Sequence, residues 1–359
     1  KFGIDPTGPD IHLGHTVPLW KLKQFQDLGH QVVLIIGDFT ATIGDPSGRS
    51  EERKPLTKDD VKRNMERYIE QIQKILDIKK IEIRHNSEWH EKEGLEAVLQ
   101  LTRTTTVQQL IERADFAERI KKGQGVTMIE LLYPLLQGYD SVKVEADIEI
   151  GGTDQIFNLL MGRQVQSRYG QKEQDVITLP LLKGTDGVRK MSKSFGNYIA
   201  LLDKPEDMFG KTMSISDEEI PEYFELVTPL PLNDLEKIKK QNISGKAARD
   251  LKLQLAETVT SVYWGDLEAR KARDNFLNTF QKQELPDEIK EWNVSSTALS
   301  AEAVTEVGFS SSKSEASRLI KQGGVYINDK RVEDPKAKIP KKPFILRVGR
   351  RKIAKIIPK

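Results

Sequence analysis

The chain has 359 residues, with 56 Lys/Arg against 54 Asp/Glu, 37% apolar residues and no Cys. That length predicts two or three domains with a well-filled core, and the missing Cys excludes disulfides, thiolate metal sites and cysteine nucleophiles. No run of about 18 apolar residues is present, so no membrane-spanning helix is expected. The opening residues, Lys1 to Asp5, lack the apolar stretch of a secretory signal. Without an initiator Met, the sequence is expected to begin inside a longer protein, and its place is expected to be the cytoplasm.

The near-neutral total hides an asymmetry. Residues 298–359 hold fifteen Lys/Arg and six Asp/Glu, a surplus of nine, which leaves the first 297 residues at −7. A basic tail suggests an anionic partner at that end. Charge alone leaves an ordinary solvated surface equally open.

In chain order, residues 1–204 read as alternating strands and helices. Phe2 to Ile4 predicts a first strand. Leu19, Leu22, Phe25 and Leu28 have helical spacing over 15–28, with Gly29 as C-cap. Val32 to Ile36 is a β-branched run closed by Gly37, as in a buried parallel strand. Ile81-Glu82-Ile83 and Val176 to Leu179 predict further strands. The alternation predicts an α/β, Rossmann-like, doubly wound parallel sheet. About residues 94–143 the pattern is mostly helical and reads as an insertion. Residues 205–282 lack strand signals and predict an α-helical domain. Residues 283–297 are polar and read as a linker. The tail, 298–359, predicts a helix over Ser314 to Gln322, then Gly323-Gly324, a strand over Val325 to Ile327 and a turn at Asn328-Asp329.

Two segments carry chemistry. His12-Leu13-Gly14-His15 follows the first strand and opens a helix. A helix N-terminus offers free N–H groups and positive dipole charge to phosphate. Gly14 lets a nucleotide approach the backbone, and two imidazoles can donate to a polyphosphate. Lys190-Met191-Ser192-Lys193-Ser194 lies past the last predicted strand in a Gly-bearing stretch. Two lysines on such a loop can close over a triphosphate. No G-x-x-x-x-G-K-[ST] occurs and no G-x-G-x-x-G follows a strand, which disfavours a P-loop NTPase or a dinucleotide dehydrogenase.

The pair resembles the two signatures of class I aminoacyl-tRNA synthetases. Three further segments resemble the tyrosyl family: Gly3 to Asp10, Gly44 to Arg49 with Arg53, and Tyr133 to Asp140 with Gly151 to Gln155 downstream. The likeness covers the whole chain and is closest to the bacterial form with a C-terminal S4-like domain. Tyr133, Gln137 and Asp140 fall at i, i+4 and i+7, on one helix face. Such a face offers an acceptor for a phenol O–H and polar groups for an ammonium. Without the resemblance, core packing for Tyr133 and Leu136 with solvation of Gln137 and Asp140 is the favoured reading.

The resemblance implies a ligase that joins tyrosine to tRNA through an adenylate made from ATP. It implies that Thr7, His12, His15, Arg49, Arg53, Lys190 and Lys193 act on the phosphates. Gly3, Asp5, Gly14, Asp154, Met191, Ser192 and Ser194 would contact ATP, which arrives with Mg²⁺ and needs no protein metal cage. Thr40, Asp45, Asn86, Tyr133, Gln137, Asp140 and Gln155 would contact tyrosine. Lys1 stands where the family's better-known branch has a tyrosine that reaches the phenol, and it is expected to reach the phenol or point away. Residues 205–282 would bind the anticodon. In the tail, Lys313, Arg318, Lys321, Lys330 and Arg331 would bind RNA along a phosphate backbone. A homodimer through the 94–143 insertion is implied, with tRNA, tyrosine and ATP as partners and no membrane. Tryptophanyl synthetases, small nucleotidyltransferases and an RNA-binding protein on a synthetase scaffold are the competing readings.

Overall fold

The computed structural model describes residues 1–47, 56–241, 243–281, 291–328, 330–349 and 352–359. It divides into two compact units, Lys1–Phe276 and Leu277–Lys359.

In the first unit, β1 (Phe2–Ile4), β2 (Val32–Ile36) and β3 (Ile81–His85) pair in parallel in the order β1-β2-β3. Phe2 lies opposite Leu34, and Val32 opposite Ile81. β4 (Ile148–Gly152) and β5 (Asp175–Leu179) form a second parallel pair. Lys1 joins the two. Its backbone nitrogen donates to the Ile148 carbonyl at 2.7 Å, and the Ile150 N–H donates to its carbonyl at 3.0 Å. The strands therefore lie in the order 3-2-1-4-5, a doubly wound arrangement whose direction reverses between β1 and β4. Ligands of such sheets bind at that switch, outside the carboxyl ends of the strands.

All five residues of β2 are buried, as a central parallel strand demands. The helix after β1 runs Leu13–Asp27, two residues earlier than its apolar spacing indicates. His12 is its N-cap, and the His12 N–H donates to Nδ1 of His15 at 3.3 Å. The polar start hides from periodicity because capping is local hydrogen bonding rather than burial. The helix ends as expected, with Gly29 at φ +84°.

The insertion comprises the helices Gly94–Thr102, Val107–Ile111, Ala114–Lys121 and Met128–Val144. They close an apolar cluster around Phe116, Leu131 and Leu135. All the elements described within residues 205–281 are helices, from Pro205–Met213 through Gly245–Trp264 to Asp266–Gln281. Met208, Tyr223, Phe224 and Leu255 belong to the same buried cluster as Leu13, Leu19 and Leu34 of the sheet layer. Each fully buried side chain of this size contributes roughly 1.5–3 kcal/mol, so these helices brace the helix that begins at His12.

The second unit has its own core around Val304, Ile320, Leu346 and Ile356. Five strands, β6 (Glu291–Val294), β7 (Val325–Ile327), β8 (Lys330–Arg331), β9 (Phe344–Val348) and β10 (Lys352–Pro358), lie in the order β6-β10-β9-β7-β8. The helices Ser300–Glu306 and Lys313–Lys321 pack together beside them. Residues 291–294, expected as linker, are thus a strand. Only Val294 of the four is buried, and the strand exists because β10, some sixty residues later, supplies its hydrogen bonds. The expected linker residues 283–290 lie outside the described residues. Among the described residues, no helix is long and apolar enough to cross a membrane.

Candidate active site

A cleft of about 740 Å³ opens at the switch between β1 and β4. Gly3, Asp5, Thr7, His12, Gly14, His15, Thr40, Asp45, Tyr133, Gln137, Asp140, Asp154, Gln155, Lys190, Met191, Ser192, Lys193 and Ser194 all line it. Residues up to 190 positions apart in sequence thus meet in one space.

One wall is a web of acceptors and donors. Asp5, at the end of β1, accepts from Thr40 Oγ1 at 2.7 Å and from the Tyr133 hydroxyl at 2.8 Å. Burial, and then the negative charges of Asp5 and Asp45, push the Tyr133 phenol well above its ordinary range. It therefore stays protonated and donates. Asp45 accepts from the Ser47 N–H at 2.9 Å, the Ser47 hydroxyl at 2.6 Å and Gln155 Nε2 at 2.7 Å. Gly37 is required here, because a Cβ would overlap the side chains of Asp5 and Thr40. Deeper in, Asp140 accepts from Trp89 Nε1 at 2.9 Å and lies 2.9 Å from His90 Nε2.

Two expected residues stand behind the wall instead of on it. Asn86 is fully buried. It accepts from the Phe39 N–H at 2.9 Å and donates to Thr40 Oγ1 at 2.9 Å and Asp140 Oδ2 at 3.3 Å. It is not among the residues that line the cleft. Lys1 is held by an ion pair of 2.7 Å to Glu149, both side chains buried, and it does not line the cleft. A buried ammonium needs that partner, and the partner lies on β4, out of sight of local pattern. Arg49 and Arg53 lie outside the described residues. Trp89, His90, Ser47 and Glu149 escaped the sequence reading. Trp89, His90 and Glu149 have partners at least 50 positions away, and Ser47 also accepts from Asn158 Nδ2 at 3.2 Å.

The opposite wall is basic. The segment around Lys190 is a hairpin, with the Met191 N–H donating to the Leu182 carbonyl at 2.8 Å. Asn197 fixes its turn by accepting from the Ser192 N–H at 2.9 Å and donating to the Lys190 carbonyl at 3.2 Å. Lys190 Nζ donates to Asp154 Oδ2 at 2.8 Å. Lys193 reaches across to the β1 loop, where a Cβ on Gly8 would lie 2.8 Å from its Nζ. Below the hairpin, the His12 and His15 rings stack with centroids 3.7 Å apart. Burial, followed by the charges of Lys193 and Lys190, lowers His15 to about 3. Burial and then His15 also lower His12. Both imidazoles are neutral at pH 7, so they can donate through N–H without adding to the lysine charge.

In the second unit, Lys313, Arg318, Lys321, Lys330 and Arg331 are all exposed. Arg318 and Lys321 share the helix Lys313–Lys321, and Lys330 and Arg331 form β8. Arg331 packs over Gly323, whose φ of +78° and lack of a Cβ make room for the guanidinium.

Residues 1–281 match the family model described as tRNA synthetases class I (W and Y), and residues 302–342 match the S4 domain. The chain is 50% identical over 361 residues to the tyrosine–tRNA ligase of Thermotoga maritima, covering 99% of this chain and 89% of that protein. It is 49% identical over 356 residues to the tyrosine–tRNA ligase of Haemophilus influenzae, with the same coverage. A crystal structure of the Aspergillus nidulans mitochondrial tyrosyl-tRNA synthetase, truncated at its C-terminus, superposes with a TM-score of 0.65 at 23% identity, covering 78% of this chain and 85% of that one. The Archaeoglobus fulgidus tyrosyl-tRNA synthetase in complex with L-tyrosine gives 0.61, also at 23%, covering 76% and 89%. These two establish the fold.

The neutral histidines predict a pH effect. His15 falls from an ordinary 6.5 to about 3 on folding, so between those values the unfolded chain binds the extra proton. Stability is full above pH 6.5 and declines as pH falls toward 3. His15→Asn keeps an acceptor for the His12 N–H but cannot titrate. Its urea midpoint should drop less than the wild type's between pH 7.5 and 5.5. An equal drop in both would show that His15 does not carry the effect.

Proposed function

Because the chain belongs to the class I tRNA synthetases of the tryptophan and tyrosine group, we propose that it is a tyrosine–tRNA ligase working through the residues of this cleft. The carrying observation is the opposition of a hydroxyl-reading carboxylate, Asp140, and a phosphate-reading wall of His12, His15, Lys190 and Lys193 in one space. The tyrosine carboxylate attacks the α-phosphorus of ATP. An acyl–phosphate bond forms, the bond to the bridging oxygen breaks, and pyrophosphate leaves. A ribose hydroxyl at the tRNA terminus then attacks the acyl carbon and AMP leaves.

No enzyme nucleophile is needed, so catalysis is alignment plus charge stabilisation. His12 and His15 donate N–H groups to the phosphates beside Thr7 and the Gly14 backbone. Lys190 exchanges Asp154 for the triphosphate, and Lys190, Lys193, Arg49 and Arg53 hold the leaving pyrophosphate. Gly3, Asp5, Asp154, Met191, Ser192 and Ser194 hold the nucleotide. Asp45, Thr40, Tyr133, Gln137 and Gln155 hold the amino acid, with Asn86 behind them. The described residues hold no cluster of three metal-ligating side chains. The carboxylates of Asp45 and Asp154 are engaged by protein donors. Mg²⁺ therefore fits as the companion of the triphosphate, whose charge it screens.

Asp140 selects the substrate. A site built to bond a hydroxyl rejects the analogue that lacks it, because its buried acceptor is left unpaired; tyrosine-activating enzymes are the standing illustration of this rule. Among the twenty amino acids, tyrosine alone should drive ATP–pyrophosphate exchange. Asp140→Asn should cut tyrosine-dependent exchange at least tenfold with the fold intact by circular dichroism. Exchange driven by tryptophan instead would overturn the reading.

The basic face of the second unit is assigned to tRNA, with residues 205–282 as the anticodon-binding part and 298–359 as the S4-like part. Lys313, Arg318 and Lys321 changed together to Glu should leave tyrosine–ATP exchange intact. Charging of tRNA should fall at least tenfold, more steeply with added salt. Unchanged charging would take this face out of the account.

The insertion leaves Leu95, Leu99, Val107, Met128 and Ile129 exposed, Leu95 at 72% and Met128 at 69%. Apolar exposure on that scale suits a homodimer interface, and light scattering should give twice the chain mass; a monomer would refute it. The same reading places the protein in the cytoplasm.

A further inference from the structure

Asp140 is a buried carboxylate with an uneven set of donors. Its Oδ1 meets Trp89 Nε1 and His90 Nε2, each at 2.9 Å. Its Oδ2 meets Asn86 Nδ2 at 3.3 Å, longer than a well-formed N–H···O bond. An ionised carboxylate only accepts, so the His90 contact requires the imidazole proton on Nε2. With two ring N–H donors, both lone pairs of Oδ1 are used. Oδ2 keeps spare capacity, and Asp140 lines the cleft.

We propose that His90 is a positioning residue for hydroxyl recognition: with Trp89 it occupies Oδ1 and so presents Oδ2 of Asp140 to the phenol of the substrate. The proposal rests on the assignment of Asp140 to the substrate phenol given above.

The fold holds His90 tightly enough for this task. Its side chain is 4% exposed. The helix Ser87–His90 is pinned at its start, where the Ser87 N–H and hydroxyl donate to the two oxygens of Asp38 at 2.9 and 2.7 Å. The Asn86 N–H donates to the Ile36 carbonyl at 3.1 Å, tying the same turn to the end of β2. The imidazole stacks on Phe39 with centroids 5.0 Å apart and 27° between planes, and the ring of Tyr139 lies 5.9 Å away. Among these rings, His90 Nε2 meets Asp140 Oδ1. Without that N–H, one lone pair of Oδ1 becomes free. The carboxylate can then turn, and its preference for a hydroxyl at one place is diluted. A hydrogen bond to a charged group is worth enough for a tenfold effect on binding.

Pyrophosphate exchange on the full chain tests this, with tyrosine and phenylalanine compared. His90→Phe keeps the stacked ring and removes the donor. It should raise the tyrosine KM roughly tenfold and narrow the tyrosine-to-phenylalanine ratio of kcat/KM by a similar factor. The ATP KM and kcat should move less than twofold. His90→Gln restores an N–H at the place of Nε2 and should return both to within threefold of wild type. Wild-type values in His90→Phe, or a His90→Gln as impaired as His90→Phe, would overturn the proposal, the second result showing a packing role. If His90→Phe does not fold, His90→Gln and His90→Asn decide, since Asn is too short to reach Asp140; equal discrimination in the two would overturn it. Asp140→Asn run in parallel separates the two levels. If that variant activates tyrosine normally, the assignment of Asp140 itself fails. If it loses tyrosine activation while His90→Phe does not, only the role of His90 falls.

Discussion

A carboxylate cannot be buried as a charge unless donors surround it, and this requirement organises the cleft. Asp140 draws Trp89, His90 and Asn86 to one side, and Asp5 draws Thr40 and Tyr133 to the other. Asn86 touches both groups, through Thr40 and Asp140. The ends of β1, β2 and β3 and the long helix of the insertion are thereby locked together by polar bonds. Apolar packing then needs only to support them from behind. Such a web is rigid when every member is satisfied, and it suits recognition of a hydroxyl by geometry.

The phosphate side follows the opposite logic. Its lysines and histidines stand at the cleft mouth, and Lys190 rests on Asp154, which a triphosphate would replace. The stacked histidines stay neutral because burial and nearby ammonium charge both oppose protonation. Positive charge is thus carried by the hairpin at Lys190, while the helix start at His12 supplies N–H donors. The hydroxyl-reading wall and the basic wall face one cleft of about 740 Å³.

The second unit repeats the theme on a smaller scale. Its core is closed by its own strands and helices; Lys313 pairs with Glu302 at 2.9 Å, while Arg318 and Lys321 lie exposed on the same helix, where a polyanion could reach them. Each unit carries a separate part of the proposed activity.

Much of this was legible in the sequence. Val32 to Ile36 reads as a buried strand because all five residues are β-branched or Leu, and the structure buries all five. The short motifs at His12 and Lys190 are readable because each works through neighbours a few residues away. The strand at Glu291–Val294 was not readable, since its partner is β10 and only one of its four side chains is buried. Nor was the place of Lys1, whose fate depends on Glu149. Asn86, expected at the ligand, lies buried behind the wall and bonded to Thr40 and Asp140. His90 drew no notice, because an isolated His carries no periodic signal.

The sequence by itself determined the alternating α/β layout, the basic tail, and which residue types could serve phosphate and phenol. Those properties are set by spacing and composition over a few residues. Only the tertiary structure decided which donors Asp140 meets, which side chains stand on the wall or behind it, and how β1 meets β4. Those are contacts between residues some 46 to 148 positions apart, and a buried polar atom takes whichever partner the packed chain brings within reach.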